Sequence, residues 1–352
     1  MHPRHTTIAA RRRGAMLAAA TVAAMMAAAP AMAQDVTLRV ADSLPSGHII
    51  HQIATKPFLD AVARMSQGRI KLQHFPGEQL GKAKDLLMLT QAGVADIGYI
   101  GPSYQSDKMP LSSALELPGM IADDCQGARA LWALTHDGGY LEKNEFAPNR
   151  VVPLLTMVLP PYQILLASGK KVATLKDLSG LKVRSAGGAM DFMVKSLDMV
   201  PVRMTPPEVY ESLSRGTVDG AIFPYQSANS YGFANKIKTG TYKENFGTVV
   251  LTYSIGAMKW QQLPQATRAI LMKAGQEVSL SACTRFKTAE SEAFKKTTAL
   301  GMKPLELGAA DDQALSAIFA RVATDWAASL DRRGKPGTPT LNAVRQALSS
   351  AK

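Results

Sequence analysis

The chain has 352 residues, 46% of them hydrophobic and 19% charged, with 40 basic against 28 acidic side chains and a net charge of +12. That length suits two domains with cores of their own. The basic residues are scattered, with no run of five or more, which reads as a solvated surface and argues against a nucleic-acid footprint.

Residues 1–33 have the layout of a secretory leader. Arg4, Arg11, Arg12 and Arg13 form a basic start, Met16 to Ala29 is rich in alanine and methionine, and Ala31-Met32-Ala33 is an A-x-A cleavage site. The apolar run is short of the roughly 20 residues that a membrane span needs. Cleavage after Ala33 and a periplasmic location are the expectation. The Arg11-Arg12 pair lacks the bulky apolar follower of twin-arginine leaders, since Gly14 and Ala15 stand there. Removing the four leader arginines lowers the charge from +12 to +8 for residues 34–352. A mildly positive surface helps gather anionic solutes.

Val36 to Ala41 alternates like a strand. A turn at residues 43–48 leads into a helix that runs to about Ser66 and stops at Gly68. Ile70 to Phe75 is a second strand, Lys84 to Gln91 a short helix, and Val94 to Ile100 a third strand that opens into loop 101–105. This βαβαβ order predicts a parallel, doubly wound sheet. Asp124 to Leu134 is helical. Val151 to Val158 and Tyr162 to Ala167 are strands split by Pro160-Pro161, where the chain crosses into a second lobe.

That lobe holds a strand ending at Arg184, a glycine turn at Gly187-Gly188, and a helix from Ala189 to Asp198. A strand at Pro201 to Met204, a helix at Pro207 to Arg215 and a strand at Ala221 to Phe223 follow. Thr248 to Ala257 returns to the first lobe. Pro264 to Leu300 is a long helix, on the order of 55 Å if unbroken. Ala309 to Leu330 carries Leu315, Ile318, Phe319, Val322 and Trp326 on one stripe, and a Gly/Pro-rich tail from Gly334 to Thr340 precedes a short last helix. The expected division is leader 1–33, first lobe 34–157, second lobe 158–249, and a return to the first lobe over 250–352. The fold class is α/β.

Cys125 and Cys283 are the only cysteines. Outside the cytosol the pair is expected to form a structural disulfide, the other reading being two buried free thiols.

Arg184 is the first candidate for chemistry. A side chain at a strand's carboxyl end faces the crevice where open α/β sheets bind ligands, and a guanidinium there clamps a carboxylate by two charge-assisted hydrogen bonds. The bland reading is a surface or interlobe ion pair. Other strand ends offer Ser43, His48, Tyr99 and Ser103 from the first lobe, and Tyr162, Gln163, Phe223, Tyr225 and Tyr253 from the second lobe and the crossings. His48 and His51 stand three apart, but without an evident carboxylate or third histidine they are read as ligand contact or solvated surface, and no metal site is expected. There is no G-x-S-x-G, H-E-x-x-H, Walker-type loop or G-x-G-x-x-G, so no catalytic residue and no cofactor are expected.

Seven pieces of the chain, in order, carry a resemblance. They are F-L-D-A-V-A-R-M-S-Q-G-R-I (Phe58 to Ile70), F-P-G-E-Q-L-G (Phe75 to Gly81) and A-G-V-A-D-I-G (Ala92 to Gly98), followed by G-L-K-V-R (Gly180 to Arg184), P-V-x-M (Pro201 to Met204), E-V-Y-x-x-L (Glu208 to Leu213) and G-T-V-D-G (Gly216 to Gly220). From about Val36 to Leu307 the chain resembles the DctP-type periplasmic solute-binding proteins of TRAP (tripartite ATP-independent periplasmic) transporters. The resemblance implies a two-lobed binding-protein fold with a long bracing helix. It implies Arg184 as the carboxylate-binding arginine, a small organic carboxylate as ligand, and the small and large membrane subunits of the transporter as partners. Glu208, Val209, Tyr210 and Asp219 are read as structural.

The chain departs from the sugar-acid and dicarboxylate binders of that family. Tyr162 to Ala167 lacks their second arginine, Phe223 stands where they have asparagine before the proline at Pro224, and Pro206 replaces a bulky apolar or aromatic residue. One arginine among aromatics favours a monocarboxylate with an apolar or aromatic body. The alternatives are a dicarboxylate or sugar acid, or delivery of the ligand to a membrane sensor in place of a transporter.

Overall fold

The strand-like run at the start of the described region becomes β1 (Val36–Ala41), and β2 (Ile70–Phe75) and β3 (Ile97–Ile100) follow it. The computed structural model describes residues 35–351 except 168 and 170; the expected leader and its cleavage point lie outside the described residues. Between these strands stand α1 (Lys56–Met65), entered through a wide helical turn at His51–Thr55, and α2 (Leu86–Gln91). Then come α3 (Asp124–Thr135), β4 (Val151–Val158), β5 (Gln163–Leu166), β6 (Lys182–Ser185), α4 (Ala189–Ser196), β7 (Val200–Arg203), α5 (Val209–Ser214) and β8 (Gly220–Phe223). The chain continues through α6 (Tyr225–Ser230), β9 (Thr239–Gly240), β10 (Val250–Gly256), α7 (Ala257–Gln262), α8 (Gln265–Ala299), β11 (Lys303–Pro304), α9 (Ala309–Arg332) and α10 (Gly337–Ser350).

Two sheets result, and each with its helices makes one lobe. The first has the order β2-β1-β3-β10-β4 and the second β11-β9-β5-β8-β6-β7. The expected all-parallel first sheet is corrected to a mixed one: β1 and β3 are parallel, but β10 runs antiparallel to both β3 and β4. The reason is topological. β10 arrives from the second lobe and enters the sheet from the opposite end, which local alternation does not encode.

The short strands β9 and β11 pair with each other, so Lys303–Pro304 adds an edge to the second sheet. The residues from Gly337 onward, read as tail up to Thr340, begin a 14-residue helix instead. Proline at position 339 sits in its first turn, where its missing N–H is harmless.

α8 is 35 residues long and touches both lobes. It lies so close to β4 that a Cβ at Gly275 would stand 1.6 Å from the Leu154 carbonyl oxygen. Next to this contact the Ser279 hydroxyl accepts from Thr156 N at 2.9 Å. Further along, Glu290 accepts from the backbone N–H groups of Tyr225 and Gln226 at 2.8 and 2.9 Å, at the start of α6. Gly275→Ala is expected to lower stability by about 2 kcal/mol: backbone overpacking outweighs the roughly 1 kcal/mol that alanine adds in helix propensity. Gly47→Ala, with nothing within 4 Å, is the control and is expected to be neutral. Urea unfolding of the two variants checks this; equal stabilities would contradict the packing argument.

The motif residues Glu208 and Asp219 serve the framework. Glu208 closes a capping box with Thr205 ahead of α5, and Asp219 accepts from Lys182 N at 2.8 Å, tying β8's entry to β6. Among the described residues no helix is long and apolar enough to cross a membrane.

Candidate functional site

Arg184 sits near the carboxyl end of β6, its Cα paired with Val202 of β7 and Ala221 of β8, and it is completely buried. Two backbone carbonyls hold its guanidinium. Nε donates to Met204 O at 3.1 Å, and Nη1 donates to Ile222 O at 3.2 Å. The guanidinium carbon lies 4.9 Å from the centre of the Phe223 ring. Nη2 is buried and has no hydrogen-bond partner. A buried cation held by neutral acceptors, with one fork unpaired, carries a desolvation cost that an anion would offset.

Tyr104, Tyr162 and Tyr231 stand near this charge, with Tyr99 and Tyr253 behind them. Tyr99, Tyr104, Tyr162, Tyr231 and Tyr253 all have pKa values raised, burial being the main cause, Tyr104 to about 12. Arg184 is near enough to Tyr104, Tyr162 and Tyr231 to counter that rise in part. Tyr162 and Tyr231 pack on Phe223 with ring centres 6.0 and 6.2 Å away, and Tyr99 meets Tyr253 edge-on at 5.3 Å.

The first lobe closes over this wall. Gly187 and Gly188 have φ of +96° and +56°, a region that glycine adopts without strain. They press against the first lobe, and a Cβ on Gly188 would lie 2.9 Å from the Ser103 hydroxyl. Ile49 N donates to Ser230 Oγ at 3.2 Å, and His48 packs on Tyr231 at 4.6 Å.

His48 is 1% exposed, and its Nδ1 accepts from Ile50 N at 3.1 Å. The proton therefore resides on Nε2. Burial, with nearby His51 adding to it, lowers the pKa to about 3 and keeps the ring neutral. Nε2 is buried without a partner. Arg184 Nη2 and His48 Nε2 are thus two donors, one from each lobe, both lacking an acceptor.

The remaining candidates divide. Tyr99, Tyr162, Phe223 and Ser103 belong to this assembly, with the Ser103 hydroxyl donating to the Glu116 carboxyl. Tyr253 contributes its ring, while its hydroxyl is committed to Asp42 and Thr55. Ser43 is buried in the turn after β1. Gln163 faces elsewhere: its amide donates to Glu244 O at 2.8 Å and accepts from Thr241 Oγ1 at 2.8 Å, bracing the two crossings. Tyr225 is part of the second lobe's core, donating to Thr241 O at 2.7 Å and packing on Phe294. Tyr104 and Tyr231 were missed. Tyr104 lay inside a loop already marked as opening from a strand end, whereas Tyr231 has no local signal. Cys125 and Cys283 form a disulfide.

A cavity of about 610 Å³ lies at Asp124, Gln163, Lys243 and Glu290 and includes neither Arg184 nor His48. The two unpaired buried donors make the cleft, and not that cavity, the candidate site.

Burial raises four carboxyls, Glu116 to about 8 and Glu145 and Glu290 to about 7 from an ordinary 4.5, and Asp124 to about 6 from 3.8. A carboxyl raised on folding contributes stability that is complete below its unfolded pKa and is lost as pH rises through the folded one. The lowered His48 and His136 act in the other sense, but only below about pH 6.5. The unfolding midpoint is therefore expected to fall between pH 6.5 and about 8.5, and Glu116→Gln to flatten the upper part of that fall. A midpoint that rises across the window would refute it.

Known proteins share this architecture. The sequence profile of DctP, bacterial extracellular solute-binding protein, family 7, matches residues 40–329. A solute-binding protein of Albidiferax ferrireducens is 23% identical over 287 residues, 79% of this chain and 82% of its own length. A TRAP solute-binding protein from Rhodoferax ferrireducens T118, solved with copurified benzoate, has a TM-score of 0.82 at 24% identity and covers 90% of this chain and 98% of its own. A marine metagenome TRAP solute-binding protein specific for aromatic acid ligands, solved with metahydroxyphenylacetate, has a TM-score of 0.81 at 23% identity, covering 90% and 99%. At these identities the structural likeness speaks for the fold.

Proposed function

Because this chain belongs to DctP, the bacterial extracellular solute-binding protein family 7 whose members serve TRAP transporters, we propose that it captures an organic monocarboxylate with an aromatic or apolar body between its two lobes. The observation that carries this reading is the fully buried Arg184 with Nη2 unpartnered beside Phe223. A carboxylate oxygen would accept from Nη2, giving the buried cation its counter-charge. The rings of Tyr162, Tyr231 and Phe223 would cover the ligand's body. The Nε2–H of His48 would meet a second acceptor, such as the other carboxylate oxygen or a 2-hydroxy or 2-oxo group.

A single arginine argues against a dianion, whose second charge would be buried without a counter-ion. The ligands of the two structural relatives, benzoate and metahydroxyphenylacetate, are of the class favoured here. The loaded, closed form would then dock on the transporter's membrane subunits after export and cleavage at Ala33. The chain would release its ligand chemically unchanged.

A thermal-shift screen of residues 34–352 tests this with benzoate, phenylacetate, mandelate, 2-oxoisovalerate, succinate and glucuronate. Aromatic monocarboxylates are expected to stabilise the protein, by about 2.7 kcal/mol at a hundred times Kd. A response confined to succinate or glucuronate, or to none of the six, would overturn the assignment. Chromatography of the recovered ligand separates binding from turnover.

A further inference from the structure

A second constellation lies on the first lobe, outside the carboxylate clamp. Asp42 directly follows β1, His74 lies in the neighbouring β2, and His51 opens the wide turn ahead of α1, where Lys56 N–H reaches back to His51 O. Chain separation hides the cluster from the sequence, yet one ligand atom from each residue lies within 4.8 Å of the other two. We propose that Asp42, His51 and His74 form a binding site for a divalent transition-metal cation of the zinc class.

Two imidazole nitrogens and one carboxylate oxygen are a donor set for such ions, leaving further positions open to water. His51 Nδ1 is buried without a hydrogen-bond partner, a lone pair or N–H with nothing to meet. His74 Nε2 is 2.9 Å from Asp42 Oδ2, so this pair already converges on the position a cation would share. In its other tautomer His74 offers a lone pair there. His51 and His74 stack nearly parallel, 5.1 Å apart at 19°. The ligand atoms of a tetrahedral zinc site stand about 3.4 Å apart, so binding would draw these three groups, now within 4.8 Å of one another, closer together.

The outer partners that hold metal ligands are also in place. Asp42 Oδ1 accepts from Leu44 N at 2.8 Å, and Oδ2 accepts from the Tyr253 hydroxyl at 2.5 Å. The Tyr253 hydroxyl in turn lies 2.7 Å from Thr55 Oγ1. Lys56, the opposing charge nearby, is paired with Asp60 at 2.6 Å. His48 takes no part, since Ile50 N occupies its Nδ1.

Titration of tag-free, chelator-treated residues 34–352 with ZnCl₂ by calorimetry, and with Co²⁺ by visible absorption, tests the site with the metal alone. One saturable site per chain is expected, weakened at least tenfold by His51→Ala and by His74→Ala. Circular dichroism confirms that each variant is folded, without reliance on the carboxylate reading. No saturable binding to the wild-type chain, or binding that both folded variants retain, would overturn the proposal.

Discussion

Arg184→Met is expected to weaken carboxylate binding by about a hundredfold or more while leaving the ligand-free protein folded. Charge-assisted hydrogen bonds contribute about 1.5–3 kcal/mol each, and the substitution removes every one the ligand would make with this side chain. The unliganded state responds differently. The guanidinium there is fully buried, with carbonyl partners at Met204 and Ile222, the Tyr104 hydroxyl close by and Nη2 unpaired. Methionine of similar length removes a buried charge along with two hydrogen bonds, so unliganded stability should change little or rise. Arg184→Lys keeps the charge but not the planar fork, and should bind at least tenfold more weakly than wild type. Calorimetry with the best ligand of the thermal-shift screen measures all three. Affinity within threefold of wild type in Arg184→Met would end the clamp model.

Loss of the Cys125–Cys283 bridge is expected to cost 2–5 kcal/mol of stability. The two cysteines are 158 residues apart, and chain-entropy reasoning for a loop of that size gives about 5 kcal/mol as an upper figure. The bond fastens the start of α3 to the long helix α8, on which β4 and α6 also lean. Ligand affinity should hold, because no clamp residue lies on α3 or α8. Denaturant unfolding of a Cys125→Ser, Cys283→Ser double variant, with ligand titration alongside, checks both statements. A stability change under about 0.5 kcal/mol would mean that helix packing alone holds α3 in place.

Much of this was legible from local order. Period-two alternation located β1 and β2 to the residue, and the 3.6-residue stripe of Leu315, Val322 and Trp326 marked the buried face of α9. Those patterns are written in neighbouring residues because strand and helix geometry repeat over a few positions. The placement of Arg184 near the end of a strand was legible for the same reason: a short apolar strand followed by a glycine turn sets a side chain at a predictable edge. Tertiary structure decided which distant groups meet that guanidinium. Tyr104 and Tyr231 come from different lobes and reach it only after the sheets are ordered and the cleft is shut. Gln163 and Tyr225 had equally good local credentials, yet the crossings and the second core claimed them. The antiparallel entry of β10 and the union of Asp42, His51 and His74 belong to the same class. Sheet order and lobe closure are set by long-range packing, which no window of neighbouring residues contains.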